Sequence, residues 1–248
     1  GATIFSKLDL NSGYHQLELD EKSRNITTFS THIGLRRYKR LIFGISSAAE
    51  IFQNTLCAAL EGLKGTRNIS DDILVFGRTQ EEHDKNLEST FARIKQKGLT
   101  LNKHKCEFNK DKIEFFGYIF SKDGISPDPK KVEAIKNAST PSNISQVRSF
   151  LGMTNYVGRF IPNYATINEP LRALTKQTKP WEWTEKHKKA FEKLKENLAS
   201  DTVIAYFDPN KETQLIVDAS PVGLGALLTQ NGKVIAYAIS ALSDVEKP

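Results

Sequence analysis

At 248 residues with 39% apolar side chains, the chain can build one large domain or two to three smaller ones with real cores, which excludes a disordered protein. Its 35 Lys and Arg against 29 Asp and Glu leave a net +6, a balance that favours a polyanionic partner such as nucleic acid but also suits an ordinary soluble surface. Two cysteines, Cys57 and Cys106, are too few for a disulfide framework or a four-ligand zinc site, and no apolar run reaches the roughly 18 to 20 residues that span a bilayer, so the expectation is an intracellular protein without a membrane partner.

The first twenty residues read as a strand, Ile4-Phe5-Ser6-Lys7-Leu8-Asp9-Leu10, then a turn at Asn11-Ser12-Gly13. Asp9 lies between two leucines, where a carboxylate is costly to bury unless a cation, a donor or a solvent cleft receives it. Residues 26–43 predict two short strands around a turn, with Arg36, Arg37, Lys39 and Arg40 in the second. Those charges suit either a solvated edge or an edge facing phosphate. From Ser46 to Leu63 the apolar residues recur at helical spacing, and Ser47 with Glu50 forms an expected capping box.

The stretch Asn68-Ile69-Ser70-Asp71-Asp72-Ile73-Leu74-Val75-Phe76-Gly77 places two adjacent carboxylates ahead of a β-rich run. Neighbouring strand residues point to opposite faces, so both acids reach one cleft only if the backbone turns at Ser70-Asp71-Asp72. The plain alternative is a solvated hairpin turn, and Asp9 is the best partner for a metal-binding role. Thr79 with Glu82 predicts a second capping box, opening a helix to about Lys97 with His83, Leu87, Phe91 and Ile94 along one stripe and Gly98 as its stop. His83 reads as a packed helix histidine. This order predicts an α+β sheet covered by helices on one face.

Residues 99–125 predict two or three strands, and His104 with Cys106 lacks the further ligands a metal site needs. Ser126-Pro127-Asp128-Pro129 is the expected domain boundary. Two helices follow, one with Val132 and Ile135, the other entered near Asn143 to Ser145 with Val147, Phe150, Leu151 and Met153 along it. Pro162, Pro170 and Pro180 are expected to break what comes next. Thr184 to Leu198 is an amphipathic helix with a Lys-rich solvated face. The tail predicts strands at 203–207, 214–218, 224–230 and 233–238, with Asn231-Gly232 as a hairpin turn and Asp218 closing an apolar run.

Several of these segments together resemble a known family. They are Phe5-Ser6-Lys7-Leu8-Asp9 with Tyr14-His15-Gln16, Leu41-Ile42-Phe43-Gly44, Ile51-Phe52-Gln53, Ser70-Asp71-Asp72, Phe116-Gly117-Tyr118, Phe150-Leu151-Gly152 and Leu215-Ile216-Val217-Asp218. Their order and spacing are similar to the polymerase of gypsy-type long-terminal-repeat retrotransposons, over essentially the whole chain.

The resemblance implies a reverse transcriptase palm over 1–125, a helical thumb over 126–165, an α/β connection over 166–210 and the opening of a ribonuclease H-like domain over 211–248. It implies an RNA-directed DNA polymerase acting on an RNA or DNA template with a primer and deoxynucleoside triphosphates. Asp9, Asp71 and Asp72 would be the catalytic carboxylates holding two Mg²⁺ ions, with Mn²⁺ as a substitute. Leu10, Tyr14, Phe43 and Gly44 would lie beside the incoming nucleotide, with Tyr14 under its sugar. Phe116, Gly117 and Tyr118 would form the primer grip, and Asp218 would be the first ribonuclease H carboxylate and a metal ligand.

Four motif positions depart from the family pattern: Ile42, Ala49, Ile69 and Ser70. None removes a metal ligand. The chain starts just before Asp9, so most of the fingers are expected to be missing. Only Asp244 and Glu246 follow Asp218, so no ribonuclease H activity is expected. Two readings stand at this level: a working polymerase fragment in a cytoplasmic particle or the nucleus, or an inactive element-derived fragment that at most binds nucleic acid.

Overall fold

The strand bearing Asp9 becomes the middle of a sheet. In the computed structural model, which describes residues 1–176, 181–198, 203–220 and 223–242, Ile4–Asp9 forms β1 with Phe5, Ser6, Leu8 and Asp9 all buried. Burial on both faces follows from its place in the sheet. A 3-10 turn, Gly13–Gln16, comes next, then α1 (Glu21–Ile26), which Asp20 caps by accepting from the Ser23 amide at 2.9 Å. A two-stranded hairpin, β2 (Phe29–Thr31) and β3 (Gly34–Arg36), precedes α2 (Ala48–Leu60). Then come β4 (Thr66–Ile69), β5 (Asp72–Gly77), α3 (Gln80–Gln96), β6 (Glu107–Lys110) and β7 (Lys112–Phe115). The sheet runs β4-β5-β1-β6, with antiparallel neighbours throughout.

The helix α2 supplies Phe52, Leu56 and Leu60 and α3 supplies Ile94 to one core with Leu8, Ile73 and Val75 of the strands. Ile73 and Val75 alternate onto the same face, so the helices cover that face as the sequence pattern predicts. The capping chemistry differs in detail. Ser47 makes no capping bond. Thr79 does accept from the Glu82 amide, but the Glu82 carboxylate takes the amide of Arg78 rather than that of Thr79.

The inner stripe of α3 is also more polar than its periodicity suggests. Phe91 is 37% exposed, whereas Asn86 and Thr90 are buried. They turn inward because partners wait there: Asn86 donates to the Phe76 carbonyl at 2.9 Å, and Thr90 meets the Thr66 hydroxyl at 2.9 Å. His83 is fully buried, 2.9 Å from Ser6 Oγ through Nε2 and 2.9 Å from Asp84 Oδ1 through Nδ1. Ser6 Oγ in turn accepts from the Asn109 amide at 3.1 Å. One hydroxyl thus ties β1, α3 and the β6 strand together. Replacing Ser6 with Ala leaves Nε2 of the fully buried His83 without this partner and is expected to cost about 1–3 kcal/mol in urea unfolding, whereas a change under 0.5 would show the network to be dispensable.

The chain forms two compact units, Gly1–Phe116 and Gly117–Pro248. The second begins with the hairpin β8 (Tyr118–Ser121) and β9 (Gly124–Pro127). Ser126 to Pro129 is a strand-to-helix junction inside this unit: Asp128 accepts from the Lys130 amide and Pro129 opens α4 (Pro129–Lys136), where a missing N–H costs nothing. Helices α5 (Ile144–Val157), α6 (Tyr164–Leu174) and α7 (Glu185–Asn197) follow. Asn143 caps α5, and His187 completes a capping box with Thr184 at the start of α7. Val147, Phe150, Phe160, Leu171, Phe191 and Leu194 form the core, with Lys186, Lys188, Lys189 and Lys193 of α7 left outside and Lys195 half-buried over the Phe191 ring.

Pro162 precedes α6, but Pro170 lies within it and does not break it. Pro180 lies outside the described residues, as do Asp244 and Glu246. The expected strand at 203–207 reduces to one bridge, Ile125 with Ile204. β10 (Gln214–Ser220), β11 (Gly223–Gln230) and β12 (Lys233–Ala241) make an antiparallel sheet. Asn231 and Gly232 both carry positive φ, 50° and 72°, as a two-residue turn between twisted strands demands. Among the described residues no helix is long and apolar enough to cross a membrane.

Candidate active site

Strand register brings the three acids together. Asp9 and Asp72 are direct partners across the β1–β5 ladder, and Asp71 occupies the turn that joins β4 to β5. Ile69 pairs with Asp72, so Ser70 and Asp71 are the two loop residues. Ser70 has φ 52°, the left-handed backbone that such a turn requires. The Asp71 carbonyl accepts from the Leu10 amide at 3.0 Å, which stitches the turn to the end of β1. Gln53 of α2 braces it from the other side, its Oε1 accepting from the Ser70 amide at 2.7 Å.

Asp9 is 8% exposed, and its carbonyl accepts from the Asn102 amide at 2.8 Å. Its carboxylate faces the Lys105 ammonium at 3.6 Å. Burial pushes the Asp72 carboxyl above its ordinary 3.8; the Lys7 charge draws it back, the charges of Asp71 and Asp9 act with burial, and Lys105 opposes them. The carboxylates of Asp9, Asp71 and Asp72, with the Lys7 and Lys105 ammonium groups nearby, are an oxygen-donor set suited to a hard divalent cation. Among the described residues no three His, Cys, Asp or Glu side chains form a group placed to hold a metal ion by themselves.

Beside the acids lies an aromatic shelf. The Tyr14 ring stacks on buried Phe52 with centroids 4.6 Å apart and tilts against Phe43 at 4.5 Å. Phe43 is 67% exposed, and Gly44 after it has φ 91° with open space around it. Leu10 contributes through its backbone, since its side chain is in the core. Gly13 is a close-approach position: a methyl there would lie 2.8 Å from Phe52 Cζ and 3.1 Å from Asp71 Cβ. Arg36, Arg37, Lys39 and Arg40 are exposed, with Arg40 paired to Glu18 at 3.2 Å.

The remaining candidates fall elsewhere in the chain. Phe116, at the end of the first unit, is 55% exposed with φ 49°. In the second unit Tyr118 stacks on Tyr156 at 5.1 Å and donates to the Tyr156 carbonyl, while Gly117, φ 68°, packs against Tyr156 and Lys131. Asp218 is exposed on β10, opposite Gly225. Lys105 carries no signal in the sequence that ties it to the acids, and Lys7 and Gln53 carry only their place in motif segments. Gly13, in the turn that follows the strand of Asp9, hints at its role.

Residues 1–120 match the family described as reverse transcriptase (RNA-dependent DNA polymerase), and residues 183–248 match the RNase H-like domain found in reverse transcriptase. The retrovirus-related Pol polyprotein from transposon 412 of Drosophila melanogaster is 38% identical over 251 residues, covering 99% of this chain and 20% of the relative. The Tf2-3 transposon polyprotein of Schizosaccharomyces pombe is 34% identical over 232 residues, covering 93% and 17%. The chain thus spans about a fifth of the length of these relatives. The foamy viral protease-reverse transcriptase, solved in complex with an RNA/DNA hybrid, has a similar fold, with a TM-score of 0.86 at 24% identity over 98% of this chain and 34% of that one.

Proposed function

We propose that this chain, which matches reverse transcriptase and RNase H-like family models and is 38% identical to part of a retrovirus-related Pol polyprotein, extends a primer by nucleotidyl transfer on an RNA or DNA template. The observation that carries this reading is the pairing of Asp9 with Asp72 across two strands, with Asp71 in the adjoining turn. Asp9, Asp71 and Asp72 would hold Mg²⁺, which when bound stabilises both the attacking 3′-oxygen and the leaving phosphate oxygens. The chain's own residues do the rest. Tyr14, backed by Phe52, offers a fixed ring for the sugar of the incoming nucleotide, and exposed Phe43 with the open Gly44 backbone flanks it. The arginines and lysine of residues 36–40 face phosphate, giving backbone-directed, salt-sensitive affinity for an A-form hybrid. Phe116 to Tyr118 would hold the primer strand, and Asp218 would belong to a separate ribonuclease H-like site.

The test is extension of an oligo(dT) primer on poly(rA) with Mg²⁺ and dTTP. Extension that stops on addition of EDTA and needs the template supports the proposal. A chain that shifts the labelled hybrid in a salt-dependent way but never extends the primer is a nucleic-acid-binding fragment, and the polymerase reading falls.

A further inference from the structure

The turn that presents Asp71 and Asp72 is built on an awkward residue. Ser70 occupies the left-handed region at φ 52°, where serine gains none of the relief available to glycine. Something outside the hairpin must hold it there. The Leu10 amide holds Asp71, and the Ser70 amide donates to Gln53 Oε1 at 2.7 Å. The orientation of that amide is set by both its ends: Oε1 meets a donor, the Ser70 N–H, while Nε2 reaches an acceptor, the Asn68 carbonyl at 3.4 Å, and Cys57 Sγ at 3.1 Å. One side chain therefore clips both sides of the turn, residue 68 on β4 and residue 70 in the loop.

We propose that Gln53 is a positioning residue for nucleotidyl transfer: from α2 it clamps the strained Ser70 turn and so fixes the Asp71 and Asp72 carboxylates. Its platform is rigid, because Phe52 beside it is 1% exposed in the core. Gln53 itself touches neither carboxylate in any hydrogen bond among the described residues, so its effect passes through the backbone of the turn. The inference rests on the polymerase reading.

The test compares the full chain with Gln53→Met, which keeps length and removes the bonds to Ser70 and Asn68, and with Gln53→Met combined with Ser70→Gly, which removes the need for a clamp. Gln53→Met should lower kcat for dTTP on poly(rA)/oligo(dT) about 10- to 100-fold, as loss of a supporting shell around a metal site does, while nucleotide KM and the Kd for the hybrid stay at their wild-type values. Adding Ser70→Gly should recover most of that loss, and both variants should melt cooperatively. A wild-type kcat in Gln53→Met, a loss confined to KM, or no recovery with Ser70→Gly overturns the clamp. Should the parent chain fail to extend any primer, the polymerase reading fails separately. The clamp is then decided by amide exchange: Ser70 exchanging faster in Gln53→Met supports it, and unchanged protection removes it.

Discussion

Replacing Asp71 and Asp72 together with Asn abolishes primer extension, with an expected loss of roughly a thousandfold, the upper end of what removing an electrostatic stabiliser from a site costs. The same change should stabilise the metal-free protein. Burial and the charges of Asp71 and Asp9 hold the Asp72 pKa above 3.8 in the folded chain, so the folded state binds that proton more tightly than the unfolded one. Stability therefore falls as pH rises from about 3.8 through the raised value, and the full cost is present at neutral pH. The variant should melt above the parent at pH 7, and the gap should close in acid. Mg²⁺ or Mn²⁺ should raise the melting temperature of the parent and leave the variant unmoved, because a ligand stabilises only the state that binds it. A variant that extends primers like the parent, or that gains the same stabilisation from Mn²⁺, would show that these acids do not hold the metal.

The second large effect is on stability. Phe52 is 1% exposed, lies under the Tyr14 ring and fills the space against Gly13. Phe52→Ala should cost about 3–5 kcal/mol, through lost burial and the cavity left behind. Phe43, the other aromatic neighbour of Tyr14, is 67% exposed. Phe43→Ala should change stability by about 0.5 kcal/mol or less, as surface substitutions do. Urea unfolding of the two variants separates a ring that supports the shelf from below, Phe52, from one left in solvent, Phe43, which the proposed function turns to the nucleotide. Equal losses would mean that the shelf is one packed unit, and the division of roles would fall.

The places where the sequence pattern missed are instructive. Periodicity assigned Phe91 to the inner face of α3, yet Asn86 and Thr90 are buried there, because hydrogen-bond partners on Phe76 and Thr66 outweigh the gain from burying one more ring. Proline chemistry suggested a break at Pro170, but the helix continues around it with Leu171 and Leu174 in the core. In both cases tertiary packing overrides a local preference worth only a few tenths to about 3 kcal/mol.

What the chain determines by itself is local and electrostatic in kind. Leu8-Asp9-Leu10 announces a costly carboxylate, Ser70-Asp71-Asp72 a turn, Asn231-Gly232 a hairpin, and residues 48–60 and 80–96 two amphipathic helices, because φ/ψ preference and side-chain period act within a few residues. The tertiary structure alone decides which charges meet. The β1–β5 register sets Asp9 against Asp72, where a slip of one residue would turn them to opposite faces. Lys105 reaches Asp9 and Gln53 reaches Ser70 only after the sheet and α2 have packed. Contacts between residues far apart in the chain depend on how strands align and helices dock, and no local preference encodes that alignment.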